Sequence, residues 1–366
     1  MEASGDFGRS FSYKILGNAL ASQAAMHAKY GGVFPNLAKN EHAKNLVPML
    51  TLALKEAGAL QESANSVDTD IKKILEREPE LSAQLESFLR QYAKPDIDAI
   101  AVTVGPGLEP ALWVGVNFAH ALSLVWNIPV VPVNHMEGHI VVSLTRDGKL
   151  EPLEFPALAL LISGGHTELI LMKEFGAYEY IGRTRDDAAG EAFDKVARML
   201  GLPYPGGPHI SKLAEEARSK KLGAGFKLPR PMLHEKNFDF SFAGLKTAVL
   251  RIVEAEKNPT DDFKKRVARE FEDAATEVLI EKTFRAAEEY AAKTIIVGGG
   301  VSANTHIKTE LKKQADEAGV QLLISPLEFA TDNAVMIALA GYFKARDNKF
   351  TDVNKLIANG NLRLDN

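Results

Sequence analysis

Two histidines set four residues apart, His135 and His139 in the string HMEGH, are the densest chemistry in this chain of 366 residues. On a helix, positions i and i+4 share one face with Cβ atoms roughly 5–6 Å apart, close enough to hold one metal ion. The same spacing serves a pair of core or surface histidines that hold nothing, so the pair alone leaves both readings open. Glu137 falls at i+2, off that face. A zincin peptidase sets its glutamate directly after the first histidine, where it can act as general base, and HMEGH does not. Three strings then combine strands with glycine: EASGDFG (2–8), LLISGGHT (160–167) and IIVGGGVSAN (295–304). Glycines let backbone N–H groups approach a phosphate, and a helix opening near Asn304 adds its positive end. Glycine turns after strands are also ordinary in α/β proteins. Two of the three run strand–turn–strand, against a P-loop or a dinucleotide fingerprint, which need a helix directly after the glycines.

The acidic candidates are Asp6, Asp186, Asp187, Glu191, Asp194 and Asp332. Asp187, Glu191 and Asp194 follow i+4 and i+3 spacing, which makes either a solvated acidic face or part of a site. Asp332, standing before an apolar helix, reads locally as its N-cap. Residues 207–237 gather His209, Lys212, Arg218, Lys220, Lys221, Lys227, Arg230, His234 and Lys236, with Phe226, Phe238 and Phe240 close by. That mixture fits a local nucleic-acid contact, pairing charge neutralisation with stacking, and equally a generic basic surface loop.

The elements that must position these residues read as α/β throughout. A strand over 99–104 runs into GPGLEP and a helix near 111–126. The strand IPVVPV leads to a short helix opening at Asn134, which carries HMEGH. FPALALLIS (155–163) ends at Gly164-Gly165 and TELILM resumes, a hairpin around the glycines. DDAAGEAFDKVARML is a helix closed by Gly201 and PYPGGP. A long helix covers 260–292, followed by the strand TIIVGGG, a helix from Asn304, the strand VQLLIS and a last helix from Asp332. Residues 60–95 are polar and charge-laced, with Leu81, Leu85, Phe88 and Leu89 at helical spacing. They predict an inserted helical hairpin with one docked face. Met1 lies directly against EASGDFG, with no strand expected before it.

Composition narrows the classes. The chain is 46% hydrophobic and 25% charged, and its length suggests two domains. It contains no cysteine, which excludes a disulfide scaffold, a zinc ribbon, a thiolate iron–sulfur site and a cysteine nucleophile, but not a metal on histidine and carboxylate. With 43 basic and 48 acidic residues the net charge is −5, so contact with nucleic acid requires a local patch. Met1-Glu2-Ala3-Ser4 resembles neither a signal sequence nor a transit peptide. The apolar stretch FAHALSLVWNIPVVPV is broken by His120, Asn127 and two prolines. No membrane association and a cytoplasmic location are expected.

Taken in order, HAKYGGVFP, TVGPGLEPALWVG, PVNHMEGH, LLISGGHTEL, DDAAGEAFDKVARMLGLPYPGGP, LPRPM, FDFSFAGLKTA, GGGVSAN and EFATDNAVMIA resemble the tRNA N6-adenosine threonylcarbamoyltransferase family. That family, once labelled O-sialoglycoprotein endopeptidase, belongs to the actin-like ATPase superfamily. The resemblance implies two actin-like (ASKHA) lobes with a nucleotide cleft between them. The first covers 1–130 with the helical insertion at 60–95, and a helix near 333–346 returns to it; the second covers 131–325. It implies transfer of the threonylcarbamoyl group from threonylcarbamoyl-AMP to N6 of adenosine 37 in ANN-decoding tRNAs, releasing AMP. His135, His139 and Asp332 are the implied ligands of one divalent metal per subunit, iron or else zinc. Leu161, Ile162, Ser163, Gly164, Gly165, Asp194, Gly207 and Asn304 match the positions that bind the intermediate.

Asp6 matches the aspartate of the N-terminal phosphate motif and is the one candidate catalytic residue; no general base is identified. A paralogous actin-like subunit and a small ATPase are the implied protein partners, beside tRNA. The family's ETSCDET reads EASGDFG here, with Gly5, Phe7 and Gly8 in altered places, and the apolar residues expected ahead of it are not present. Either the natural start lies upstream or the first lobe is altered. The 60–95 insertion and GLEPALW also depart from the pattern. Two other classes compete: a nucleotide-binding, non-catalytic scaffold of a tRNA-modifying complex, and a His/Asp metallopeptidase.

Overall fold

A computed structural model describes residues 1–8, 10–67 and 70–365. The chain opens with strands β1 (Glu2–Ser4) and β2 (Ser12–Lys14) and helices α1 (Ala24–Ala28), α2 (Pro35–Glu56), α3 (Ile71–Ile74) and α4 (Pro79–Gln91). Next come β3 (Ile100–Gly105), α5 (Glu109–Trp126), β4 (Val130–Asn134), α6 (His135–Ser143), β5 (Thr145–Arg146) and β6 (Lys149–Leu150). Then follow β7 (Ala157–Ile162), β8 (Thr167–Glu174), β9 (Ala177–Arg183), α7 (Ala189–Met199), α8 (Gly206–Ser219), α9 (Ala243–Ala255) and α10 (Asp261–Glu289). The last elements are β10 (Thr294–Gly298), α11 (Thr305–Ala318), β11 (Gln321–Ile324) and α12 (Ala334–Arg346).

The largest sheet has the order β11-β10-β7-β8-β9. β10 lies parallel to β7 and β11, whereas β8 and β9 return antiparallel. β7 is the unbroken apolar run ALALLI, as a strand covered on both faces requires, and all six residues are buried. Side chains alternate across the pleat, so the two faces carry different cores. On one, Leu158, Leu160, Ile162 and Leu169 meet α7, α8 and α10 through Phe193, Ile210 and Phe271. On the other, Leu161, Ile170 and Met172 meet α6 through Met136, Ile140 and Leu144.

β3 and β4 form a separate parallel pair. α12 lies against it through Leu339, Ala340 and Phe343, packed with Val131 and Val133. A Cβ at Gly341 would stand 2.5 Å from that of Ala101, so only glycine allows the helix this close. A third sheet, β1-β2-β6-β5, is built of strands two or three residues long. β1 lies within EASGDFG, the string read as a strand running into a glycine turn.

The insertion is not a hairpin of two comparable helices. α3 is a single turn, and α4 carries the docked face, with Leu81, Leu85, Phe88 and Leu89 packed on Val114, Phe118 and Trp126 of α5. α2, the long helix of this region, is not evident from the sequence because only Ala38 and Val47 are buried along its 22 residues. Lys39 of α2 pairs with Glu78 at 2.9 Å and ties the two parts together.

Candidate metal centre and adjoining cleft

α6 begins where sequence places it. Asn134 Oδ1 accepts the N–H of Met136 at 2.9 Å, capping a helix whose residues from Met136 to Ser143 are buried. His135 and His139 consequently bring their rings together edge to face, centroids 4.9 Å apart and planes at 84°. Nε2 of each lies 3.2 Å from Asp332 Oδ1. The candidate ligand atoms of the three residues all fall within 4.8 Å of one another. Asp332 is available because Asn333, not Asp332, caps α12, its Oδ1 accepting the N–H of Met336 at 3.0 Å. The N-cap reading of Asp332 is thereby corrected. Three-quarters of the Asp332 side chain is open to the cleft. The surrounding protein disfavours its charge, yet the adjacent imidazoles of His135 and His139 prevail and hold the carboxyl far below its ordinary range.

His139 is sealed in, and neither of its ring nitrogens makes a directed hydrogen bond among the described residues. An unpartnered buried imidazole is costly unless something else takes its lone pair. Two imidazoles and a carboxylate, converging with one side open, fit a divalent ion with positions left for substrate. Glu137 is engaged elsewhere: Lys344 pairs with it at 2.9 Å, and Tyr178 donates to it at 3.4 Å. It is no peptidase general base.

The loop after β7 is wrapped by glycine-bearing segments. Ser163 Oγ accepts the N–H groups of Gly165 (3.3 Å) and His166 (3.1 Å), and Ser163 O accepts that of Gly190 (3.1 Å). A Cβ at Gly190 would stand 2.6 Å from Ser163 O, and one at Gly299, whose φ is +87°, 2.5 Å from Ile162 O. Those two glycines let α7 and the turn after β10 close on the end of β7. Gly164 and Gly165 face open space. His166 links this loop to the metal centre: burial, and then the charges of His135 and His139, push its imidazole down to about 4. It is therefore neutral at physiological pH.

The other expected binding residues lie around α7 and α8. Leu161 and Ile162 are fully buried, so only their backbone is available to a ligand. Asp194 accepts the N–H of Gly206 at 2.6 Å and that of Gly207; burial raises its pKa, and these two bonds oppose the rise. Asn304 caps α11 by accepting from Ile307 (3.0 Å) while its Nδ2 donates to Ser211 (2.8 Å) and Glu272 (2.7 Å). Asp6 is elsewhere, bound at 2.8 Å by Arg346.

The remaining candidates are engaged by neighbouring groups. Asp186 holds Ser241 and the N–H groups of Phe242 and Ala243, Asp187 holds Lys195 and Lys246, and Glu191 holds Lys195. Asp187 precedes α7, so the three acids do not form one helical face. In the basic segment, Arg230 is tied to Glu270 (2.6 Å) and Glu277 (2.7 Å), which removes it as a free cation; Lys227 and Lys236 are exposed.

Sequence reasoning missed a cavity of about 390 Å³ next to the metal centre, lined by His166, Glu168, Tyr180, Arg183 and Arg363. Glu168 is a lone acid at the start of β8, ahead of the unbroken apolar run LILM. Its confinement comes from the C-terminal segment, whose course no local pattern announces. The position of a lone acid directly after SGGHT was the available signal.

The profile of the tRNA N6-adenosine threonylcarbamoyltransferase family matches residues 14–67 and 85–339. The unmatched gap falls inside the insertion, and Asp6 lies outside the match. Proteins named tRNA N6-adenosine threonylcarbamoyltransferase are 40% identical in Persephonella marina (96% of this chain, 90% of the relative) and 42% identical in Chromobacterium violaceum (91% and 87%). A third, from Ralstonia pickettii, is 45% identical over 89% of this chain and 84% of its own. Among solved structures, full-length HypF in its phosphate- and nucleotide-bound form superposes with a TM-score of 0.50 at 11% identity, covering 74% of this chain and 50% of that one. That likeness concerns the fold alone and fits two actin-like lobes.

Proposed function

This chain belongs to the tRNA N6-adenosine threonylcarbamoyltransferase family, and on that premise we propose how its cleft carries out the transfer. It moves the threonylcarbamoyl group from threonylcarbamoyl-AMP to N6 of adenosine 37 in ANN-decoding tRNAs and releases AMP. The observation that carries the assignment of the site is the convergence of His135, His139 and Asp332, with the buried ring of His139 making no hydrogen bond.

These three residues hold one divalent ion, which we assign as iron, with zinc as the alternative. Such an ion supplies Lewis-acid polarisation of the carbamoyl carbonyl or neutralises the phosphate. The Ser163–Gly165 loop, open on its outer side, offers backbone N–H groups to the donor. Asp194 fixes the start of α8 so that Gly207 faces the same region, and Asn304 fixes the start of α11. His166 stays neutral beside them, so it adds no charge to the adenylate phosphate. tRNA approaches the cleft with Lys227 and Lys236 as exposed cations. Among the described residues no helix is long and apolar enough to cross a membrane. We place the enzyme in the cytoplasm, working with a paralogous actin-like subunit and a small ATPase.

The test is a modification assay. Protein, ferrous iron, the candidate paralogous subunit, threonylcarbamoyl-AMP and an unmodified ANN-decoding tRNA are combined, and the nucleosides are read by mass spectrometry. Threonylcarbamoyladenosine is the expected product. A folded, AMP-binding protein that makes none supports the non-catalytic scaffold instead.

A further inference from the structure

The cavity beside the metal centre is built by strand register. Glu168 stands opposite Leu161 on β7 and Arg183 on β9, and one extra residue in β9, Ile181, returns Tyr180 to the same face opposite Ile170. Thr167 points the other way and accepts the N–H of Ala189 at the start of α7. Glu168 therefore shares the face on which α6 carries the metal-ligating histidines, opposite the face of α7 and α8. The C-terminal segment closes the far side, with the Arg363 guanidinium 4.6 Å from the centre of the Tyr180 ring. Oε2 of Glu168 is buried and finds no hydrogen-bond partner among the described residues.

We propose that this cavity receives the acceptor adenine and that Glu168 takes the proton from its N6 amine; the proposal rests on the transferase reading above. The expected donor positions gather at the SGG loop, α7 and α8, so the acceptor has the opposite face left to approach from. A volume of about 390 Å³ suits a small ring system. Enzymes acting on a base extrude it from its stack, and the Arg363 guanidinium, laid on Tyr180, offers its other plane for the base to lie against. Arg183 supplies a cation for a flanking phosphate, whereas Arg363 is held by Asp365 at 2.6 and 2.8 Å.

The step balances with no further reactant. The N6 lone pair forms the C–N bond to the carbamoyl carbon, the C–O bond to the phosphate breaks, and its electron pair leaves with AMP. The N6 proton passes to the Glu168 carboxylate and from there to solvent. Burial pushes that carboxyl up to about 7, opposed by Arg363 and Arg183 and reinforced by Asp365. His166 and Tyr180, the other titratable groups facing it, are neutral at that pH. A base titrating near neutrality is matched to its task.

The experiment is single-turnover transfer to tRNA from about pH 5.5 to about 8.5, run on wild type, Glu168→Gln and Glu168→Asp, with AMP and tRNA affinities measured in parallel. Wild type should accelerate with rising pH through about 7 and then level off. Glu168→Gln should be about 100-fold slower and flat across the range, with both affinities unchanged. Glu168→Asp should keep part of the rate with its acid limb displaced. Wild-type rate in Glu168→Gln, a slow rate that keeps the wild-type acid limb, or a loss matched by equally weakened tRNA binding each overturns the role of Glu168. No product from wild type overturns the transferase reading itself, so the two failures are distinguishable.

Discussion

The two faces of the β11-β10-β7-β8-β9 sheet treat their polar groups differently. On the α7–α8 side, Asn304 caps α11 while bridging Ser211 and the fully buried Glu272, which also holds Arg218 at 2.7 Å. Asp194 likewise fixes the first N–H groups of α8. On the α6 side, His139 makes no hydrogen bond through either ring nitrogen, its Nε2 facing Asp332 Oδ1 at 3.2 Å, and Glu168 keeps one buried oxygen without a hydrogen-bond partner. The α7–α8 side, the scaffold face, has orphans too, the hydroxyls of Thr276 and Ser302 and Nε of Arg266, but the imidazole and the carboxylate left without hydrogen bonds, His139 and Glu168, lie on the α6 side, which suits something that arrives. A ligand on the α7–α8 side meets backbone N–H groups held in place; on the α6 side it meets side chains with lone pairs to give.

The largest effect that separates the faces should come from His139→Ala. Bound metal, measured by plasma mass spectrometry, should fall from about one ion per chain to none, and transfer should fall roughly 1,000-fold, the equivalent of about 4 kcal/mol of transition-state stabilisation. Stoichiometric metal in that variant would remove the distinction at its root. Next is Arg218→Ala on the scaffold face. It leaves Glu272 buried against an uncompensated charge and should destabilise the fold by about 3 kcal/mol in urea unfolding, with metal content untouched. An unchanged midpoint would mean that the scaffold face is less committed than its hydrogen bonds suggest.

A smaller effect sharpens the comparison through pH. Burial alone would raise the Asp273 carboxyl, but His306 and Arg218 outweigh it and bring it down to about 2 from 3.8. A depressed carboxylate contributes stability above its unfolded value and loses it as pH falls, here between about 4 and about 2. Asp273→Asn should flatten the stability profile across that window and leave it parallel to wild type at neutral pH. A full acid slope in the variant would place the acid sensitivity elsewhere.

Much of this was legible in the residues. The ALALLI run, the SGG hairpin, the capped α6 and the i, i+4 histidines are local signals, and the structure carries each of them. Asp332 was legible only through family resemblance. Locally it looked like a cap, and Asn333 outcompetes it by placing its Oδ1 on the Met336 N–H. Lys195 stands within one short window of Glu191 and Asp187, but Phe242 for Asp186, Lys246 for Asp187 and Glu270 for Arg230 lie some 40 to 60 residues away along the chain, and no short window contains them. Glu168 failed for the same reason: it stands ahead of the unbroken apolar run LILM, and the segment enclosing it comes almost two hundred residues later. The docked face of α4 was legible in its own spacing, whereas α2, with only Ala38 and Val47 buried, depends on packing against α5.

One measurement tests the central claim most directly: threonylcarbamoyl transfer to an unmodified ANN-decoding tRNA, followed by mass spectrometry in wild type and His139→Ala side by side, with AMP binding checked in both. Modified nucleoside from wild type alone, with AMP bound by both proteins, is the predicted result. Equal product from the two proteins, or none from a wild type that binds AMP, would contradict it.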